Sequence, residues 1–188
     1  LFDGSLQGFT LTDRPAFFES QHQRADGPLA EVVVELPFQL DIAGNASDGA
    51  SRFENWGTVV GTVRLGAATN FWFGTGGRLH GSLLGGGSAD IMVGSATNDT
   101  IYGEAGDDYL RGGRGADRLS GGTGRDVFAY SAVNDSNASA FDTIVDFTSG
   151  TDRIDLTALA VQSVTLQAGA GFTQVIATTA SGALSVRV

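Results

Sequence analysis

Five aspartates, Asp90, Asp99, Asp108, Asp117 and Asp126, stand nine residues apart. Each is the sixth residue of a nonapeptide of the form G-G-x-G-x-D-x-U-x, read in succession as GGGSADIMV, GSATNDTIY, GEAGDDYLR, GGRGADRLS and GGTGRDVFA. The position U is always apolar: Met92, Ile101, Leu110, Leu119 and Phe128. A carboxylate is a hard oxygen ligand, and glycines before it permit backbone conformations in which carbonyl oxygens also approach an ion. Ca2+ takes six to eight oxygens at about 2.3–2.6 Å, and a turn with one aspartate and several open carbonyls gives roughly half that set. Two turns must therefore meet before an ion is held.

The elements that bring turns together follow from the same repeat. Its first six residues form a turn. Its last three form a short strand whose central apolar side chain points inward while the flanking ones point out. One repeat cannot bury that side chain alone, so repeats must stack. Two nonapeptides make one coil, and turns n and n+2 then lie above each other on one edge. This pairs Asp90 with Asp108 and Asp108 with Asp126 on one edge, and Asp99 with Asp117 on the other. Asp135, nine beyond Asp126, is expected to close a further site with the Asp117 turn. Asn70, twenty before Asp90, is a weaker candidate because its oxygen is neutral. The candidate backbone ligands are the carbonyls of Gly85, Gly87, Gly94, Gly103, Gly112, Arg114, Gly121 and Thr123. Ser88, Ser95, Thr97 and Glu104 replace glycines, which makes the Asp99 turn the least regular and the weakest expected binder.

A longer period precedes the nonapeptides. Laying Phe53–Asn70 over Phe73–Asp90 matches Gly57 with Gly77, Gly61 with Gly81, Gly66 with Gly86 and Asn70 with Asp90. A 20-residue period in glycine and apolar residues reads as coils of a parallel β-helix. The expected fold is all-β: a right-handed parallel β-helix running into a calcium-binding β-roll, closed by a C-terminal β cap. The chain divides softly into a strand-rich segment or cap at 1–52, metal-free coils at 53–84, the nonapeptide roll at 85–129 and a closing module at 130–188. Phe17, Phe18 and Phe38 are expected to cover the open end of the solenoid. After Phe128, the stretches VQSVTLQ, FTQVIATT and ALSVRV alternate apolar and polar residues between turns and predict short strands. A helical turn is expected near Leu156 to Ala160.

Composition narrows the function classes. The net charge of −10 arises from 16 Asp and 5 Glu against 11 Arg, with no Lys. Eleven of the aspartates lie between Asp90 and Asp155, so the acidity is local and argues against a nucleic-acid partner. There is no cysteine, hence no disulfide or thiolate site, and two histidines, His22 and His80, do not make an ordinary zinc centre. No apolar run reaches membrane-spanning length. The first residue is Leu rather than Met, which suits a piece of a longer protein with a catalytic or adhesive domain upstream.

The nonapeptide is the repeats-in-toxin (RTX) signature, which the chain therefore resembles. The run from Asp126 to Ala160, DVFAYSAVNDSNASAFDTIVDFTSGTDRIDLTALA, is similar to the module that follows RTX repeats in serralysin-type metalloproteases, and to the tail of RTX modules in mannuronan C5-epimerases. The matching pieces are Phe128 and Tyr130, Asp135-Ser136, and D-x-I-x-D-F-x-x-G-x-D-x-I-D-L from Asp142 to Leu156. The resemblance implies a β-roll holding several Ca2+ ions, calcium-dependent folding, export by a type I secretion machinery and a secreted or cell-surface location. It also implies a capping calcium at Asp142 and Asp146, although a hydrogen-bonded turn would suit their spacing equally. The terminal Ser185-Val186-Arg187-Val188 departs from the acidic-then-apolar ending common in such exported proteins.

No His-Glu-x-x-His or Gly-x-Ser-x-Gly motif is present, so the chain is read as non-catalytic. The 53–84 stretch offers Trp56, Trp72, Arg64, Arg78, His80 and Glu54, which packing and solvation are expected to explain. Two other classes compete with a folding module. Arg111, Arg114, Arg118 and Arg125 could grip an anionic, alginate-like polysaccharide, although Arg111 and Arg118 are expected on opposite sheets. A terminal domain of an adhesin or surface-layer protein is the third reading.

Overall fold

The computed structural model describes residues 51–188, together with the backbone of three short strands before them. Those three are β1 (Phe9–Thr10), β2 (Val33–Glu35) and β3 (Leu40–Ile42). The coils begin with β4 (Ser51–Glu54), β5 (Thr58–Arg64), β6 (Asn70–Phe73) and β7 (Arg78–Gly86). The nonapeptides give β8 (Ile91–Val93), β9 (Thr100–Glu104), β10 (Tyr109–Arg111), β11 (Arg118–Ser120) and β12 (Val127–Ala129). Then follow β13 (Asp142–Ile144), β14 (Arg153–Asp155), β15 (Val161–Ala168), β16 (Thr173–Thr179) and β17 (Gly182–Arg187). Phe17, Phe18 and Phe38 lie outside the described residues, as does nearly all of the 1–52 segment expected to act as a cap.

Even-numbered strands from β4 to β14 stack in parallel in one sheet. Odd-numbered strands from β5 to β13 stack in parallel in the other, so the chain alternates between two sheets and winds as a parallel β-solenoid. Period-2 alternation inside each three-residue strand sends its middle side chain into the gap between the sheets. Phe53, Trp72, Met92, Leu110, Phe128 and Ile154 succeed one another in register in the first sheet. Val63, Leu83, Ile101, Leu119 and Ile144 do so in the second. Met92, Leu110, Leu119 and Phe128 are fully buried. At about 1.5–3 kcal/mol per large apolar side chain, these two columns are the core. Truncating Leu110 to Ala would cost about 2–5 kcal/mol.

The aligned glycines of the 20-residue period fall on top of one another. Gly61 pairs with Gly81 in the β5–β7 ladder, and a Cβ on Gly77, Gly81 or Gly86 would strike the carbonyl of Gly57, Gly61 or Gly66. The closing strands form an antiparallel meander, β15–β16–β17, and β17 joins β13 in parallel. Arg187 of β17 fixes that junction, its guanidinium lying 3.7 Å from the Phe141 ring centroid and 4.5 Å from that of Phe172. The helical turn expected at Leu156 to Ala160 does not form. Leu159 N–H donates to the Leu156 carbonyl at 2.9 Å, a turn set by the need to lead β14 back toward the second sheet. No helix occurs among the described residues.

Candidate metal centre

Stacking places the aspartates at the turns entering each strand, in two ladders. The first runs Asn70, Asp90, Asp108, Asp126, Asp152. In it, the N–H of each residue donates to Oδ1 of the next, at 2.6, 2.7, 2.9 and 3.1 Å. The second runs Asp99, Asp117, Asp142, with bonds of 2.8 and 2.9 Å. The expected pairs Asp90–Asp108, Asp108–Asp126 and Asp99–Asp117 are thus brought together, and so is Asn70 with Asp90.

The ladder bonds use Oδ1 of each carboxylate except that of Asp99, whose Oδ2 accepts from Ser95 instead. The other is buried and has no partner in Asp90, Asp108, Asp117, Asp126 and Asp142 (Oδ2), in Asp99 (Oδ1), and likewise Oδ1 of Asn70. These carboxylates are 0–3% exposed. A buried polar atom without a hydrogen bond costs about 1–3 kcal/mol, more when it is charged, so six in register call for a ligand.

The first glycine of each repeat shows where it would sit. A Cβ on Gly85 would stand 2.5 Å from Asp90 Oδ2 and 2.7 Å from the Gly103 carbonyl oxygen. On Gly103 it would collide with Asp108 Oδ2 and the Gly121 carbonyl, and on Gly94 with the Gly112 carbonyl. On Gly112 and Gly121 it would strike Asp117 Oδ2 and Asp126 Oδ2. None of these five glycines has a positive φ. Their role is to leave a cradle lined by a carboxylate oxygen and, at the first three, the carbonyl of the next coil. The carbonyls of Gly103, Gly112 and Gly121, three of the backbone oxygens named from the sequence, thus line the space at Gly85, Gly94 and Gly103. That of Thr123 accepts Gly106 N–H at 2.9 Å. Gly87 and Arg114 are exposed on the turns. Among the described residues no three carboxylate or imidazole groups converge on one point. An ion held here must lean on backbone oxygens, and an all-oxygen donor set of this kind fits Ca2+.

Burial is the first cause of unusual acidity. It lifts Asp90 to about 6, and Asp108 and Asp117 to about 7. Asp142, pressed also by the charge of Asp117, reaches about 8. Burial likewise raises Asp99 and Asp126. Without a cation the ladders thus resist ionisation, whereas a bound divalent ion would favour the ionised form.

Two expectations are corrected by this geometry. The rung hydrogen-bonded above Asp117 is Asp142; Asp135 is not a rung, although its charge acts on both Asp117 and Asp142. Asp135 Oδ2 instead accepts from Ser131 N–H and Oγ, from Ala132 N–H at 3.1 Å, and from Arg111 at 3.3 Å. Asp142 and Asp146 lie at and beyond opposite ends of β13 and do not share a site. Asp146 accepts Gly121 N–H at 3.0 Å, Gly122 N–H at 2.9 Å and Ser120 Oγ at 2.6 Å, which is the hydrogen-bonded turn. Asp152, the last rung of the first ladder, keeps only one glycine of the repeat, Gly150 two before it, and stands 26 residues rather than 18 beyond Asp126, off the count of nines.

The arginines named for a polyanion grip are Arg111, Arg114, Arg118 and Arg125. Arg125 pairs with Asp107 at 2.6 Å, Arg111 with Asp135, and Arg111 and Arg118 lie on opposite sheets. Of the two tryptophans, Trp72 is core at 4% exposed, whereas Trp56 is 62% exposed.

Residues 50–181, well over half of the chain, match the family described as Peptidase M10 serralysin C terminal. No curated protein matches significantly. Among solved structures, the chain is similar to the solution structure of the AlgE6R3 subunit from the Azotobacter vinelandii mannuronan C5-epimerase. The match has 28% identity over 54% of this chain and 70% of that one, with a TM-score of 0.38.

Proposed function

The chain belongs to the serralysin C-terminal family of M10 peptidases, and from that membership we propose that it is a non-catalytic, calcium-holding RTX module of a larger secreted protein. The observation that carries this reading is the set of six buried carboxylate oxygens without partners, in register on two edges of the solenoid. Asp90, Asp108 and Asp126 would hold ions on one edge, and Asp99, Asp117 and Asp142 on the other, with the carbonyls of Gly103, Gly112 and Gly121. On this reading 53–84 are metal-free coils, 85–129 the metal-holding roll and 130–188 the closing module.

When bound, the cation supplies the positive charge that lets these carboxylates be both buried and ionised. The chain's own residues do the rest. Ladder hydrogen bonds orient each carboxylate, the first glycines keep the cradle open, and the apolar columns align the turns. Metal binding energy then becomes folding energy. Extracellular calcium sites typically have dissociation constants of about 10⁻⁴–10⁻³ M, far above cytosolic calcium. The module would remain unfolded inside the cell, pass through a type I secretion machinery, and fold and stabilise its parent protein outside. Titrating the purified chain with Ca2+ at pH 8 while following far-ultraviolet circular dichroism tests this: β signal should rise with calcium and vanish on chelation. Full β signal in chelator at pH 8 would sink it.

A further inference from the structure

Away from the aspartate ladders, an exposed indole is built into the outer side of the first coil. Asn55 makes a local turn, its Oδ1 accepting Gly57 N–H at 3.1 Å, while its Nδ2 donates to the Arg78 carbonyl of the next coil at 3.1 Å. Trp56 sits at the apex of that doubly tethered turn. Its six-membered ring lies against Gly76, where a Cβ would collide with the ring atoms Cε3, Cζ3 and Cδ2. Gly76 has no positive φ, so its missing side chain serves the indole rather than the backbone. The Cε3 side of the indole is thus packed against Gly76 while the side chain remains 62% exposed.

The surroundings are polar and equally fixed. The Arg52 guanidinium lies 4.6 Å from the Phe73 ring centroid, and its Nε donates to Glu54 Oε1 at 3.2 Å. The pair is neutral overall but keeps hydrogen-bonding edges facing out. Arg52 holds the Glu54 carboxyl below its ordinary value, with Trp56 acting in the same direction. Between these side chains lies a cavity of about 190 Å³, open to solvent, with room for one sugar ring.

We propose that Trp56, with Arg52, Glu54 and Phe73, forms a binding subsite for a neutral pyranose unit of a polysaccharide. A flat immobilised aromatic face matches the C–H face of a pyranose, and desolvating both is favourable. A charge-balanced guanidinium–carboxylate pair offers donors and acceptors to hydroxyls without preferring an ion. A polyanion is disfavoured by the acidic chain, of net charge −10, and by the pairing of Arg111 with Asp135 and of Arg125 with Asp107. The inference is independent of the calcium ladders.

The test uses the full chain in millimolar calcium and titrates hexamers of glucose (β-1,4 and β-1,3), xylose and mannose, with mannuronate hexamer as the anionic arm. Trp72 is buried, so a blue shift in tryptophan emission reports Trp56. At least one neutral hexamer should bind with that shift, and Trp56→Ala should weaken it at least tenfold with circular dichroism unchanged. Gly76→Ala keeps the indole but displaces it, and should weaken binding similarly. Failure of all neutral hexamers, binding that survives Trp56→Ala, or preference for the mannuronate hexamer each overturns the proposal. So does Trp56-dependent self-association without saccharide, which would make the indole a protein contact.

Discussion

Glu104 is the one non-glycine among the described residues with a left-handed backbone, at φ 75°. It occupies the second position of its nonapeptide, four residues before Asp108. Gly86, Gly113 and Gly122, four before Asp90, Asp117 and Asp126, share that conformation at φ 130°, 102° and 95°. At all four turns the aspartate Oδ2 stays unpartnered. Ser95, four before Asp99, has no positive φ, and its N–H and Oγ donate to Asp99 Oδ2 at 2.7 and 2.9 Å. Ser131 does the same for Asp135, and Thr148 N–H for Asp152 at 2.7 Å. A left-handed second residue therefore leaves Oδ2 open for an ion, whereas a serine or threonine occupies one oxygen of the carboxylate, leaving Asp99 only its Oδ1. Ser95→Gly should tighten calcium binding at Asp99 or add one ion to the calorimetric stoichiometry. Unchanged affinity and stoichiometry would refute the rule. Glu104→Gly should relieve about 1–2 kcal/mol of left-handed strain and lose a half-exposed pair with Arg64 worth under about 1 kcal/mol. The calcium-loaded Tm should then rise by about 2–4 °C. A fall would mean that the Arg64 pair outweighs the strain.

At the scale of elements, the repeat's glycines and its D-x-U triplet carry different information. Inside the roll both recur every nine residues, so β8 to β12 and their aspartate pairs were legible from spacing alone. Beyond Phe128 the double-glycine turns stop, only Gly150 before Asp152 remaining, and the ladder spacing lengthens from 18 residues to 25 and 26. Counting in nines then lands on Asp135, which is followed two residues later by polar Asn137. The true rungs keep the triplet: Asp142-Thr143-Ile144 and Asp152-Arg153-Ile154 each place an apolar residue in the core columns. An aspartate can hold a rung only where the strand after it can be buried, and that physical requirement was the missed signal. Trp56 stands out in its stretch, but its seat was illegible for another reason, since the space left by Gly76 exists only between coils. The distinction is testable by pairing variants. Asp142→Ala should raise the calcium midpoint for folding by at least about tenfold, equivalent to about 1.4 kcal/mol. Asp135→Ala should lower Tm through the loss of its turn and of Arg111, with calcium stoichiometry unchanged. Equal effects of the two on calcium would restore Asp135 to the ladder.

For the whole molecule, burying a row of like charges ties folding to pH with a sign that the cation reverses. In the metal-free chain Asp90, Asp108, Asp117 and Asp142 have folded values of about 6, 7, 7 and 8, all above the unfolded value near 4. Groups raised in this way bind more protons folded than unfolded, so their stabilisation is complete below about pH 4 and is lost as pH rises through 6 to 8. Each raised value opposes the ionised form by on the order of a few kcal/mol, and neighbours along a ladder titrate together rather than singly. In chelator, then, the β fold should be favoured at pH 5 and lost at pH 8. Calcium needs the same carboxylates deprotonated, so in millimolar calcium the order reverses and stability falls as pH drops from 8 to 5. Thermal melts at the two pH values, with and without calcium, give four Tm values whose two slopes must have opposite sign. Slopes of the same sign would show that the buried aspartates are not the groups through which the ion acts. Asp142→Asn removes the highest of the four values and should flatten the chelator slope most between pH 7 and 8, where only Asp142 is still largely protonated.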